Sequence, residues 1–421
     1  MIVTAEYNIY TNNCSEVYDM LVTTTVKVKL YTDPSSDAAF KRVCQVFSDA
    51  CDHVSAYVFR TQQMTCSRET IHEQLYDQMR AEFGLKSQMT CSVFRTVMSK
   101  YRTIDRQYRN EPYTFRCGDR RYSVPRDLDW LQRPVRFRKP FLELVRGRDW
   151  SFVRRDGAYR LSINTLEGRR IVDFNHHFDQ RLGIGCDDRP RLGGATLLKR
   201  KGSWYLYISA TVDVEEPAEC KRIVGHDRGL RFLVTSFDGK DTVFVNGSDI
   251  AARRERYHRT RKSLQSKNTR GARRVLRRIS GRENRWMSDV NHCLSKTLTS
   301  QPDTLHVLED LTGISFAEKN LSGKDRARRL RSWPFYDLEQ KMIYKAKLNH
   351  SKVISVPASY TSQRCPVCGH THKGNRRPKE HLFVCRKCGC RSNDDRIAAM
   401  NIRELGVRYM ETGKLAGFPK Q

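Results

Sequence analysis

The stretch Arg222-Ile-Val-Gly-His-Asp-Arg-Gly229 decides how the chain is read. It opens a strand meander: a first apolar segment ends at Asp227, a second runs from Phe232 to Phe237, Asp238 and Gly239 supply a turn, and a third covers Thr242 to Val245. Asp227 falls where the first strand is still inside the sheet. A charge there is costly unless a cation or a hydrogen-bond partner neutralises it. Taken alone, such an aspartate is more often a turn residue, so its meaning depends on what accompanies it.

Two further carboxylates accompany it. In Thr304 to Leu311, the apolar Leu305, Val307 and Leu308 lead directly into Glu309 and Asp310, a carboxylate emerging from a buried strand. Near the C-terminus, Asp395, Ala398, Ala399, Ile402 and Leu405 follow the i, i+3, i+4, i+7, i+10 spacing of one helical face, so Asp395 is expected to look inward. Asp394 lies one position off that stripe and reads as an N-cap or first-turn residue, as does Asn393. The order of elements is a meander with Asp, a helix, a strand with Glu, a helix, a strand over Lys352 to Val356, and a helix with Asp. That is the order of an RNase H fold. Three inward carboxylates suit two Mg²⁺ ions about 3.5 to 4 Å apart, which stabilise the attacking and leaving oxygens of a phosphodiester without any protein nucleophile.

Fourteen cysteines occur, and five of them crowd between Cys365 and Cys390. Cys365-Pro-Val-Cys368 and Cys385-Arg-Lys-Cys388 are paired C-x-x-C knuckles, a spacing that converges four thiolates on one tetrahedral Zn²⁺. Four thiolates leave no open coordination position, so the zinc is expected to be structural. Gly374, Asn375, Arg376, Arg377 and Lys379 make a basic hairpin between the knuckles, and Cys390 reads as a spectator thiol. The segment runs straight into the helix bearing Asp395.

The chain has 421 residues, enough for two to four domains. Lys plus Arg number 77 against 47 Asp plus Glu, a net charge of +30, which points to a polyanionic partner or to a merely basic, adhesive protein. No apolar run is long enough to span a bilayer and Met1 to Asn12 does not read as a signal peptide, so a soluble intracellular protein with no membrane partner is expected. Thr23 to Leu30 alternates as a strand. From Ser36, the residues Phe40, Val43, Cys44, Phe47, Cys51, Val54 and Val58 form a helical stripe destined for a core. Helices near Ile71 to Phe83 and Ser92 to Arg109 carry basic residues. Short strands such as Tyr159 to Ile163, Ala195 to Leu198 and Trp204 to Val212 suggest a small β-barrel completed by the first strand. The main boundary is expected at Asp213 to Glu219. Beyond the meander, Arg254, Arg261, Arg273 and Arg277 belong to a basic helical region suited to phosphates, or to a solvated face. Arg364 and Arg376, in and beside the cysteine segment, are further candidate nucleic-acid contacts. A polar segment between Glu309 and Trp333 is placed to act as a lid.

Gly-His-Asp227-Arg-Gly, Leu-Glu309-Asp-Leu, and Tyr-Thr-Ser-Gln-Arg-Cys365 leading through the cysteine pairs to Asp395-Arg-Ile-Ala-Ala-Met-Asn resemble the TnpB transposon-associated nucleases and miniature type V CRISPR effectors. Trp333-Pro-Phe with Leu338 and Tyr344-Lys-Ala, and Asp289-Val-Asn-His-Cys-Leu-Ser295, add to the likeness, which spans roughly residues 220 to 405. The resemblance implies an α+β multidomain protein: an N-terminal extension and first wedge strand (1–34), a helical recognition lobe (35–111) inserted in a wedge β-barrel (remainder 112–219), a RuvC nuclease domain (220–360), an inserted zinc ribbon (361–392), and a C-terminal RuvC helix and tail (393–421). It implies an RNA-guided DNA endonuclease of the prokaryotic cytoplasm that binds a guide RNA, pairs it with double-stranded target DNA beside a short motif, and cuts with Asp227, Glu309 and Asp395 holding Mg²⁺. In such nucleases the protein holds the heteroduplex by its backbone while base pairing selects sequence. Monomer and dimer remain open.

Two positions depart from the family pattern: Ile397 stands where Asn usually precedes Ala-Ala, and His226 where an apolar strand residue is usual. Two other readings therefore compete, an RNA-guided DNA-binding protein with lost or weak nuclease activity, and an unguided zinc-ribbon nucleic-acid binder whose acids are structural.

Overall fold

The computed structural model describes residues 19–184, 190–215, 219–311, 334–378 and 380–419. The N-terminal stretch Met1 to Asn12, the segment around Pro217, most of the expected lid, Trp333 and Lys379 lie outside the described residues. The chain divides into two compact units that part between Val212 and Asp213.

In the first unit, which takes β1 (Asp19–Tyr31) from Thr23 onward, three helices follow that strand, α1 (Pro34–Arg60), α2 (Arg68–Phe83) and α3 (Ser87–Asn110). Asp33 caps α1 by accepting from the Ser36 N–H at 2.7 Å, with Pro34 in the first turn where its missing N–H costs nothing. The stripe from Phe40 to Val58 is fully buried. The remaining strands are β2 (Tyr113–Cys117), β3 (Arg120–Val124), β4 (Phe141–Leu144), β5 (Trp150–Arg155), β6 (Ala158–Thr165), β7 (Gly168–Phe174), β8 (Arg191–Arg200) and β9 (Ser203–Glu215). Seven of them form one sheet in the order β4-β8-β9-β1-β7-β6-β5. Its end strands β4 and β5 are joined by a turn in which the Asp149 carboxylate accepts from the Val145 N–H, and Arg146 bridges Trp150, so the sheet is a nearly closed barrel. The expected barrel thus includes the first strand, but among the described residues β2 and β3 pair only with each other and every residue of theirs is exposed. That hairpin has no inward apolar face to contribute.

The second unit holds β10 (Arg222–Asp227), β11 (Phe232–Phe237), β12 (Thr242–Asn246), α4 (Ser248–Lys267), α5 (Arg270–Ile279), α6 (Arg282–Leu298), β13 (Thr304–Asp310), α7 (Phe335–Leu348), β14 (Lys352–Pro357), three short strands β15 (Arg376–Arg377), β16 (Leu382–Val384) and β17 (Arg391–Asn393), and α8 (Asp394–Thr412). The meander and the later strands make one sheet in the order β12-β11-β10-β13-β14, antiparallel through β11 and parallel from β10 to β14. Strand alternation sorts its side chains. Leu305, Val307, Ile354 and Val356 pack with Ile402 and Leu405 of α8 on one face, while Leu308 joins Met287 and Leu294 of α6 and Leu338 and Met342 of α7 on the other. Among the described residues no helix is long and apolar enough to cross a membrane.

Candidate functional site

β10 and β13 run parallel with His226 opposite Leu308, so Asp227 and Glu309 follow side by side at the carboxyl ends of neighbouring strands. Strands in that register are about 4.8 Å apart, and equal parity sends both side chains to one face. It is the face that α8 covers, because Gly225 and Gly406 let the helix sit on the sheet: a Cβ at Gly225 would lie 2.3 Å from the Ala399 carbonyl oxygen. Asp395 stands in the first turn of that helix, where Asn393 accepts from the N–H groups of Asp395 and Arg396 at 3.0 and 3.1 Å and serves as N-cap. The three carboxylates expected from the sequence therefore converge from β10, β13 and α8. They do so at the strand ends where open α/β sheets bind ligands.

Their electrostatics agree. Burial, then the charges of Glu309 and Asp395, push the Asp227 carboxyl well above the usual range. Burial also raises Glu309, against the pull of the Thr361 hydroxyl, which donates to its Oε1 at 2.7 Å, and of Arg228. Asp395 is raised by burial and by Asp394, with Arg376 opposing. Such mutual repulsion is what a divalent ion relieves. As a set the triad is more open than the tightest groups among the described residues, whose ligand atoms all lie within 4.8 Å.

Surrounding residues fix the acids. The wholly buried Arg228 side chain donates to Glu339 Oε2 at 2.8 Å and to the Glu309 carbonyl, holding the end of β13 to α7. Asn401, two turns along α8 from Asp395, donates to the carbonyls of Thr361 and Arg364 at 2.7 and 2.8 Å, tying the segment before Cys365 to the helix. On the opposite face of the sheet His226 bonds Ser236 Oγ at 2.8 Å and His306 Nδ1 at 3.0 Å. The departure at His226 is thus matched by a second buried histidine that supplies its partner. Ile397, the other departure, is 1% exposed and packs among Cys365, Phe383 and Cys385.

The four cysteines Cys365, Cys368, Cys385 and Cys388 bring their sulfurs within 4.8 Å of one another. Cys365 and Cys388 are 3.6 Å apart, Cys368 and Cys385 3.5 Å, close to the roughly 3.8 Å edge of a tetrahedron with 2.3 Å metal–sulfur bonds. The donor set fits Zn²⁺. Cys390 contributes its carbonyl, which accepts from the Cys385 N–H at 2.9 Å, and lies outside that group.

The arginines expected to meet phosphates divide. Arg254 and Arg261 both pair with the buried carboxylate of Glu283, Arg254 at 3.1 Å, so they brace α4 against α6. Arg376 donates to Asp394 Oδ2 at 2.9 Å and reaches Asp395 at 3.8 Å. Arg364 donates to the Gly369 carbonyl at 2.8 Å and stacks on Phe418. Arg273 donates to Asn268 at 2.7 Å, and Arg273 and Arg277 are exposed on α5. The sequence reading passed over Glu283, Thr361, Asn401, Arg228 and His381. Asp394, read as a capping or first-turn residue, is a first-turn residue but wholly buried, and Asn393 does the capping.

Residues 335–402 match the family described as Cas12f1-like, TNB domain. The chain is a relative of the TnpB-like and Cas12f1 proteins. It is 31% identical over 222 residues to the CRISPR-associated endodeoxyribonuclease Cas12f1 of Sulfoacidibacillus thermotolerans, covering 48% of this chain and 50% of that protein. To a TnpB-like protein of Methanocaldococcus jannaschii it is 35% identical over 131 residues, 30% of this chain and 46% of that one. The chain thus spans about half the length of these curated relatives. A solved Cas12f1–sgRNA–target DNA complex shares the fold, with a TM-score of 0.60 at 11% identity over 91% of this chain and 99% of that one.

Proposed function

We propose that this Cas12f1 and TnpB relative is an RNA-guided DNA endonuclease whose RuvC-type domain hydrolyses phosphodiesters with two Mg²⁺ ions held by Asp227, Glu309 and Asp395. The convergence of those carboxylates at the ends of β10, β13 and α8, each raised by burial and by its acidic neighbours, carries the reading. Bound ions would polarise the scissile phosphate and lower the pKa of an attacking water. The chain's part is to hold the oxygens in place: Thr361 orients Glu309, Arg228 anchors its backbone, and Asn393 caps the helix that carries Asp395. The four cysteines hold one structural Zn²⁺ in a ribbon continuous with α8, so metal binding there stabilises the helix that carries Asp395. Guide RNA and double-stranded target DNA are the partners, supported by the net charge of +30 and by the relatives' names. The exposed arginines of α5 are the phosphate contacts this reading favours.

The test is Mg²⁺-dependent cleavage of a matched target by protein purified with its bound RNA. Asp227→Ala or Glu309→Ala is expected to abolish cutting and spare target binding, because each removes metal ligands without touching phosphate contacts. Equal loss of binding would make the acids architectural, and absence of a discrete copurifying RNA would return the protein to unguided nucleic-acid binding.

A further inference from the structure

We infer that His381, Asp394 and Asp395 form a binding site for a divalent transition-metal ion, separate from the four-cysteine group. Their ligand atoms all lie within 4.8 Å of one another. His381 Nδ1 and Asp394 Oδ1 face each other at 3.7 Å, and among the described residues both atoms are buried without a hydrogen-bond partner. That separation is too long for a hydrogen bond. It is close to the roughly 3.3 Å between two ligands that share an ion through bonds of about 2.0 to 2.1 Å. The other Asp394 oxygen is already committed to Arg376 Nε at 2.9 Å, which leaves Oδ1 to point at the imidazole. The His381 backbone is tied to the start of α8: its carbonyl accepts from the Asp394 N–H and from Asn393 Nδ2, both at 3.4 Å. Asp394 is wholly buried, and although Arg376 pairs with its Oδ2, an Oδ1 that lacks a hydrogen-bond partner is costly there and a cation would supply one.

The donor set names the ion. One imidazole nitrogen with two carboxylates is a Zn²⁺ or Co²⁺ combination, whereas Mg²⁺ prefers oxygen ligands and keeps its waters. The site shares Asp395 with the acidic triad, which gives it a consequence that rests on the nuclease reading: Zn²⁺ bound by His381 and Asp394 draws Asp395 away from Asp227 and Glu309. Zinc at this position is then an inhibitor of Mg²⁺-supported cleavage, acting through the junction of the cysteine ribbon and α8.

The experiment counts metal on the whole chain by equilibrium dialysis against Zn²⁺, with Co²⁺ absorption as a second probe. His381→Ala and Asp394→Asn are each expected to hold one equivalent fewer than the wild-type protein, the ions of the four cysteines and of the acidic triad being common to all three. Should His381→Ala lack a cooperative melting transition, His381→Gln takes its place. Variants that bind as many equivalents as the wild-type protein overturn the site. In the cleavage assay with Mg²⁺, half-inhibition of His381→Ala should need about tenfold more Zn²⁺ or higher, the scale set by losing a metal-positioning group. Equal sensitivity overturns the coupling to Asp395. A wild-type protein that never cleaves refutes the nuclease reading instead, and the stoichiometry alone then decides the metal site.

Discussion

Gly225→Ala is the substitution whose effect can be worked most directly from the structure. The new Cβ would sit 2.3 Å from the Ala399 carbonyl oxygen, 2.5 Å from the Arg403 nitrogen and 2.9 Å from Arg403 Cβ. All three are main chain or the root of a side chain, so no rotamer change relieves them. Carbon and carbonyl oxygen normally approach to about 3.3 Å, so α8 must withdraw from β10 by about 1 Å. Withdrawal loosens the layer of Leu305, Val307, Ile402 and Leu405 beneath the helix. Overpacking of this kind costs up to about 3 kcal/mol. For a unit of roughly 200 residues, that lowers the melting temperature by roughly 6 to 12 °C. Asp395 lies four residues before Ala399, about 6 Å along the same rigid helix. It therefore moves with the helix, and a 1 Å displacement of a positioned group slows chemistry by about 100-fold. The assay pairs a melting curve with single-turnover cleavage in Mg²⁺. Gly406→Ala is the control. Its Cβ meets the Val307 Cγ2 methyl at 2.4 Å, so it also destabilises, but it lies 11 residues beyond Asp395, about 16 Å away along the helix, and should slow cleavage less. Unchanged melting of Gly225→Ala would refute the close approach, and lowered melting with an unchanged rate would refute the dependence of Asp395 on it.

Three further outcomes follow from the second unit. Glu283→Ala removes the buried carboxylate that Arg254 and Arg261 share, leaving Arg254 only 14% exposed without that partner; a loss of about 3 kcal/mol is expected by urea unfolding, and a change within error would mean the brace is idle. Burial, with Arg222 nearby, lowers the His306 pKa to about 4, so the unfolded chain takes up its proton first; stability present above pH 6.5 is lost as pH falls towards 4, by on the order of 3 kcal/mol, and His306→Phe should flatten that limb of the stability–pH curve. Cys368→Ser should release zinc and lower the melting temperature of the region continuous with α8, whereas retained zinc and unchanged melting would refute the four-thiolate assignment.

Much of this site was legible because its signals are periodic or closely spaced. The meander ending at Asp227, the apolar run into Glu309, the helical stripe from Asp395 and the paired C-x-x-C knuckles each carry their own local pattern, and the structure brings the first three together and clusters the fourth. The exposed hairpin of β2 and β3 was harder. Its alternating Tyr113, Phe115, Tyr122 and Val124 mimic a barrel strand, and only pairing geometry reveals a separate two-stranded ribbon on which Tyr113, Phe115 and Tyr122 stack in turn and Tyr113 reaches Trp130.

What sequence could not reveal is which of the arginines already have partners within the protein. Arg254, Arg261, Arg364 and Arg376 read as phosphate contacts because a guanidinium beside other guanidinia looks free in one dimension. Each has a partner that lies elsewhere in the chain or a nearby carbonyl: Glu283 for the first two, Gly369 for the third, Asp394 for the fourth. Asp394 was set aside because a helical wheel gives one inward face to α8. At its first turn, however, the helix is flanked on a second side by the β15–β16 hairpin, whose Arg376 and His381 bury the adjacent position as well. The same reasoning accounts for His226. An imidazole inside a strand is a penalty only while its nitrogens lack partners, and Ser236 and His306, 10 and 80 residues away, supply them. A single-sequence pattern locates the residues that must be buried; it does not count the buried partners that make an irregular one tolerable, and in this fold those partners surround the acids.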